Sequence, residues 1–164
     1  MPLQTMPFAW PANYVPGQNY RRAEFSAELS ADRSAARQAD ALWFVFCGGE
    51  LLLREHAGAL ALPRQRELAA NKNVQLNQEL SLFLGVLDGH ACHAASVAAN
   101  HPHEGWRWIG LRQVFGLLPE AQFALAGRAL QLLEWDRSHR YCGACGTATV
   151  HRDSERSREC PACA

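Results

Sequence analysis

The sequence predicts an α+β protein in which a mixed α/β domain, built from two β-hairpins and one long helix, is followed by a small four-cysteine module. Apolar and aromatic runs are interrupted at Gly48-Gly49 and Asp88-Gly89, dipeptides suited to the positive φ angles of tight hairpin turns. Glu120 to Ser138 places Phe123, Gly127, Leu130 and Leu133 at helical spacing behind Pro119. Cys142, Cys145, Cys160 and Cys163 crowd the end of the chain in two Cys-x-x-Cys pairs.

Taken in order, residues 1–24 carry Pro2, Pro7, Pro11 and Pro16 with scattered Phe8, Trp10 and Tyr14, and read as an extended arm. Ser30 can cap a short helix running to Ala39, with Asp32 near the positive end of its dipole. Ala41 to Cys47, Gly48-Gly49 and Glu50 to Arg54 form the first hairpin. Arg64 to Asn73 suits a helix after Pro63 and a surface loop about equally. Glu79 to Leu87, Asp88-Gly89 and His90 to Val97 form the second hairpin, and two hairpins imply one sheet. A polar link, Asn100 to Gly105, precedes a short helix expected over Trp108 to Leu118. The long helix from Glu120 then leads directly into the cysteines. The expected divisions are an arm over 1–24, a mixed domain over 25–138 and the cysteine module over 139–164.

Sixteen basic residues balance sixteen acidic ones, so no net positive field draws the 164-residue chain to nucleic acid or to an anionic membrane. No basic n-region runs into an apolar h-region, and stretches such as Ala41 to Cys47 fall far short of the ~20 residues a membrane helix needs. The chain therefore reads as soluble and cytoplasmic. In a reducing compartment, paired cysteines point to metal or redox chemistry ahead of structural disulfides.

The spacing Cys142-x₂-Cys145-x₁₄-Cys160-x₂-Cys163 favours metal over redox dithiols. Two residues between thiols let each pair reach one ion, and two such knuckles complete a tetrahedron. Soft thiolates select Zn²⁺, and four of them leave no position for a reactive water, so the expected role is structural: a zinc ribbon with one ion per chain. Gly143, Gly146 and Pro161 supply the backbone reversals. Cys47 and Cys92 lie singly in predicted strands and read as small buried apolar groups. His90 and His93 lack an acidic partner at ligand spacing, and His101 and His103 sit in a polar turn. His139 and His151 read as surface groups beside a ligand set that is already complete.

The run from Leu125 through Trp135-Asp-Arg-Ser-His-Arg-Tyr-Cys142-Gly-Ala-Cys145-Gly to Thr149 closely resembles the junction of N-terminal domain and zinc ribbon in the NADH pyrophosphatase family of Nudix hydrolases. Trp43 to Leu53, Leu62-Pro63, Leu84 to Gly89 and Trp108 to Arg112 are similar to that family's N-terminal region, so the resemblance spans about residues 40–164. It implies a degenerate Nudix-like domain that helps form a homodimer. It also implies an enzyme that cleaves the pyrophosphate of NAD(H)-type dinucleotides to AMP and nicotinamide mononucleotide. Its catalytic carboxylates, which hold Mg²⁺ or Mn²⁺, stand in a Nudix box downstream of the ribbon. The nearest partial match here, Arg66-Glu67-Leu68, has Ala70 and Asn71 where the acidic pair belongs, so no catalytic or cofactor-binding residue is carried over. With Ala164 directly after Cys163, the chain reads as the N-terminal part of a longer enzyme, inactive alone.

The alternative reading is a zinc-ribbon binding or assembly module without an enzyme domain. Arg152, Arg156 and Arg158 lie between the knuckles, yet Asp153, Glu155 and Glu159 interleave with them and no aromatic stands beside them, which argues against direct nucleic-acid binding. The homodimer expectation has a second motive. Phe123, Leu125, Leu130, Leu132, Leu133 and Trp135 occupy more of the helix circumference than one core-facing stripe requires, so a partner or another part of the chain must cover the remainder.

Overall fold

The computed structural model describes residues 12–16, 40–76, 81–99, 101, 103–152 and 156–163; the helix expected over Ser30–Ala39, and Phe8 and Trp10 of the arm, lie outside them. The strands are β1 (Tyr14–Pro16), β2 (Leu42–Cys47), β3 (Glu50–His56), β4 (Ala59–Ala61), β5 (Leu82–Leu87), β6 (His90–Ser96), β7 (Trp106–Gly110), β8 (Val150–His151) and β9 (Arg158–Glu159). Among the described residues, two α-helices accompany them, α1 (Gln65–Ala70) and α2 (Glu120–Ser138). The α+β class expected from the sequence is the class observed.

Both expected hairpins form. Phe46 pairs with Leu51 across β2 and β3, and Leu87 with His90 across β5 and β6. Asp88 (φ 51°) and Gly89 (φ 76°) both take the left-handed conformation that a type I′ turn demands. A third hairpin joins β3 to β4 through Ala57 (φ 50°) and Gly58 (φ 78°). The sheet runs β1-β5-β6-β2-β3-β4, with β7 also paired to β3. Its centre is the parallel pairing of β2 with β6, from Leu42 opposite Cys92 to Phe46 opposite Ser96. The start of β2 pairs with the segment before α1: Trp43 N–H donates to Pro63 O (2.9 Å) and Gln65 N–H to Ala41 O (2.9 Å).

Because β2 is covered on both faces, its alternate side chains feed two apolar clusters. Phe44 and Phe46 join Leu51, Leu53, Leu84, Cys92 and Ala94 beneath α2, which contributes Leu125, Ala126, Ala129, Leu132 and Leu133. Trp43 and Val45 point the other way and pack with Leu52, Ala95, Trp106 and Leu68 of α1. The segment left open between helix and loop thus contains a short helix that places one leucine over the sheet.

Two expectations are corrected. Trp108 to Leu118 is not a helix: β7 adds to the outer edge of β3, Leu52 opposite Trp108, and only Leu111–Val114 turns, as a 3-10 helix. The free edge of β3 offers backbone partners that override the weak local helix preference. Nor does α2 present a bare second apolar face, since Phe123, Leu130 and Trp135 pack against the same cluster as its buried stripe. Among the described residues, the large apolar side chains left exposed are Phe115, Leu117, Tyr141 and Val150.

Arg54 locks the far end of β3. Its Nη1 donates to Gly105 O (2.6 Å) and Glu55 O (2.9 Å), while its guanidinium carbon lies 5.4 Å from the Trp106 ring centroid. Gly105 sits at φ 74°, and a Cβ there would stand 2.3 Å from Arg54 Nη1. Gly105→Ala is therefore expected to lower stability by about 1–3 kcal/mol. A urea-unfolding midpoint equal to that of the parent chain would contradict this packing.

Candidate metal centre

The cysteine module grows from the end of α2. His139 N–H still donates to Trp135 O (3.1 Å), and the chain then reverses through a hairpin in which Thr149 N–H donates to Arg140 O (2.9 Å) and Cys142 N–H to Thr147 O (2.8 Å). Gly146, at φ 72°, lets its N–H reach back to Cys142 O (2.8 Å) and closes the first knuckle. In the second, Cys163 N–H points to Cys160 O (3.3 Å). Pairing of β8 with β9, His151 opposite Arg158, swings the second knuckle onto the first.

The four sulfurs converge. Cys145 Sγ lies 3.5 Å from Cys160 Sγ, Cys142 Sγ lies 4.0 Å from Cys163 Sγ, and all four fall within 4.8 Å of one another. Four sulfurs each ~2.3 Å from one ion would be spaced by about 3.8 Å, so the cluster has the dimensions of a tetrahedral thiolate site. The local field divides the thiols. Thr147, through its hydroxyl and backbone N–H, draws Cys145 down to about 6, and the backbone N–H groups of Cys145 and Ala144 lower Cys142. Cys163, crowded by Cys145, Cys160 and Cys142, is pushed up to about 12. Polar groups thus favour some thiolates while their crowding opposes another, and a cation at the centre removes that conflict.

The ribbon is anchored to the domain by charge. Asp136, on the buried face of α2, is 8% exposed. Its Oδ1 accepts from Arg158 Nη1 of β9 at 2.6 Å, and its Oδ2 lies 3.4 Å from Arg140 Nη2. Arg158 also donates through Nε to Thr149 Oγ1 (2.9 Å), and its Nη1 lies 2.6 Å from His151 Nε2. A guanidinium cannot accept, so His151 takes this bond on an Nε2 lone pair. His151 is therefore part of the joint between ribbon and helix, not the surface group expected from the sequence. Arg156 makes a second tie, donating to Phe83 O (2.9 Å) where β5 bulges between Phe83 and Gly85. Arg152 pairs with Glu159. The three inter-knuckle arginines all make contacts within the chain.

Residues 40–135 match the family of NADH pyrophosphatase-like rudimentary NUDIX domains, and residues 137–164 match the NADH pyrophosphatase zinc ribbon domain. This chain belongs to the NADH pyrophosphatase-like NUDIX family. Among its relatives is the NAD-capped RNA hydrolase NudC of Deinococcus radiodurans, 37% identical over 142 residues, which are 85% of this chain and 46% of that protein. The NAD-capped RNA hydrolases NudC of Chromobacterium violaceum (31% identical, 74% of this chain, 42% of the relative) and Pseudomonas syringae pv. tomato (33%, 77% and 40%) are also similar. The chain spans less than half the length of these relatives.

Within this NUDIX-family chain, the four cysteines are the one convergent group of three or more His, Cys, Asp or Glu side chains among the described residues. Glu67, the acidic residue of the partial Nudix-box match, is engaged locally: its Oε2 accepts from Arg64 N–H (2.8 Å), and its Oε1 lies 3.8 Å from Arg54 Nε. The remaining candidates take structural places. Cys92 is fully buried, which pushes its thiol up to about 12, whereas Cys47 is only half-buried. His93 stacks on Trp43 (4.9 Å between centroids), and His139 stacks on Trp135 (5.2 Å). His101 and His103 are exposed, as expected for a polar turn.

Thiol chemistry separates the two parts. With a strong chelator at neutral pH, Cys142, Cys145, Cys160 and Cys163 are expected to react with iodoacetamide while Cys92 reacts only once denaturant opens the sheet. Peptide mass spectrometry measures this, and modification of Cys92 at the ribbon's rate would show that the sheet also depends on the metal.

Proposed function

We propose that this chain is the scaffold and zinc ribbon of a Nudix hydrolase acting on the pyrophosphate of NAD(H)-type substrates, with Cys142, Cys145, Cys160 and Cys163 holding one structural Zn²⁺. The observation that carries the reading is the convergence of four thiols at the end of α2, in a chain that matches both the rudimentary NUDIX domain and its zinc ribbon. The relatives' names supply the substrate class: each of those compared above is a NAD-capped RNA hydrolase. Bound zinc would supply cross-linking of the two knuckles, and four protein sulfurs leave no coordination position for a substrate.

The arrangement proposed is an arm over 1–24, a Nudix-like domain over 25–138 and the ribbon over 139–164. Hydrolysis, with its Mg²⁺ or Mn²⁺, is assigned to a Nudix box outside these 164 residues, since the one partial match lacks the acidic pair. A cytoplasmic setting fits the reduced thiols of such a site, and no helix among the described residues is long and apolar enough to cross a membrane. Direct nucleic-acid binding by the inter-knuckle arginines is disfavoured because Arg152, Arg156 and Arg158 are occupied within the fold. An assembly module would differ from this reading only in whether an enzyme domain follows, and what favours the enzyme is that the relatives compared above are NAD-capped RNA hydrolases.

The purified 164-residue chain is expected to hold one zinc by elemental analysis and to show no NADH cleavage with added Mg²⁺ or Mn²⁺. Turnover that copurifies with the chain and exceeds a heat-killed control would place a catalytic site inside it. The homodimer is proposed from the family resemblance, with exposed Phe115 and Leu117 as available apolar surface. Light scattering coupled to size exclusion at micromolar concentration is expected to give twice the 18.2 kDa chain mass. A mass that stays at one chain would remove the dimer.

A further inference from the structure

Asp136 presents an arrangement that neither thiol chemistry nor dinucleotide cleavage requires. A carboxylate sits on the buried stripe of α2, one helical turn beyond Leu132 and Leu133, where an unpaired charge would be costly. Its closest partner, Arg158, comes from β9, only two residues before Cys160. Arg158 is itself fixed by Thr149 and His151, both between the two knuckles. The groups that neutralise Asp136 from the ribbon are therefore in place only when the ribbon is folded. Among the described residues, Arg140 Nη2 on the hairpin stem lies 3.4 Å from Asp136 Oδ2, and His151 Nε2 of the ribbon lies 3.4 Å from Oδ1.

We propose that Asp136 is a positioning residue that couples metal occupancy of the four-cysteine site to order at the end of α2 and at the β5 bulge. The proposal rests on the zinc-ribbon reading. Folding of the ribbon around its metal presents Arg158 to Asp136 and Arg156 to Phe83 O, which docks the ribbon at two points. Metal loss frees both arginines and leaves Asp136 with Arg140 alone. The last turn of α2 then opens to solvent together with the strand edge at Phe83. Linkage makes the coupling reciprocal: if zinc stabilises the docked joint by some factor, removing the joint weakens zinc binding by that same factor.

The joint also has directional consequences. Around β8, Thr149 and His151 contact Arg158 on the helix side, whereas Tyr141, Ala148 and Val150 are exposed. Tyr141 bridges to Ala148, so these exposed groups lie together on the ribbon. Two anchor points at separate elements, α2 and β5, fix the ribbon's orientation where a single tether would leave it free to swivel.

Hydrogen-deuterium exchange of the full chain, compared with zinc and with a chelator, tests the coupling without a variant. Zinc is expected to slow exchange about 10-fold or more in peptides covering the last turns of α2 and Phe83, as well as in the ribbon. Asp136→Asn is expected to weaken zinc binding about 10-fold in competition with a chromophoric chelator and to abolish the zinc-dependent protection of α2. Arg156→Ala is expected to lose protection at Phe83 while α2 keeps its own. If one zinc binds per chain but protection stops at the ribbon, the coupling is overturned. Zinc affinity of Asp136→Asn within 2-fold of the parent overturns it as well. Absence of any bound zinc would instead sink the metal reading on which the proposal stands.

Discussion

Four thiols within 4.8 Å of one another cannot all be anionic unless a cation lies among them, and the end of the chain is organised around that constraint. Two short strands of two residues each have too little pairing and too little apolar surface to hold themselves together. The sulfurs converge beside β8 and β9, and the pairing of those strands sets Arg158 against Asp136. The contacts that seat the ribbon on the domain, Arg158 to Asp136 and Arg156 to Phe83 O, thus come from the segment just before the second knuckle. The sheet has its own core of Phe44, Phe46, Leu51 and Leu84, built from apolar burial alone.

Helix α2 connects the two regimes. Its first turns are held by apolar burial, through Leu125, Ala126 and Ala129, and its last by charge, through Asp136. Glu120 in the first turn and Arg137 in the last also suit the helix dipole. A rigid element buried at one end and electrostatically clasped at the other transmits orientation between domain and ribbon. This accounts for the short link between them: His139 to Tyr141 provides no slack.

What the sequence revealed depended on how local each signal was. Asp88-Gly89, Pro119 with its trailing helical pattern, and the Cys-x-x-Cys pairs carry their geometry within a few residues, and the hairpins, the helix and the cluster of sulfurs formed where those signals lay. The helix expected over Trp108 to Leu118 gives way to the end of β7 because the strand state there comes from β3, some fifty residues away, and Ala57-Gly58 lacks the Asn or Asp that advertises a type I′ turn. The tie between Asp136 and Arg158 spans 22 residues, with no motif of its own. One hint was available: Asp136 continues the stripe of Ala129, Leu132 and Leu133, and an acid on an apolar stripe calls for a buried partner. The circumference of α2 misleads for a related reason, because Phe123, Leu130 and Trp135 on its flanks pack against the same cluster as its central stripe.

Zinc K-edge X-ray absorption on the purified chain tests the central claim most directly, because it reads the identity and distance of the donor atoms. The account predicts four sulfur scatterers at about 2.3 Å and no nitrogen or oxygen in the first coordination sphere. A sphere containing nitrogen or oxygen donors, or fewer than four sulfurs, would contradict a closed site built from Cys142, Cys145, Cys160 and Cys163.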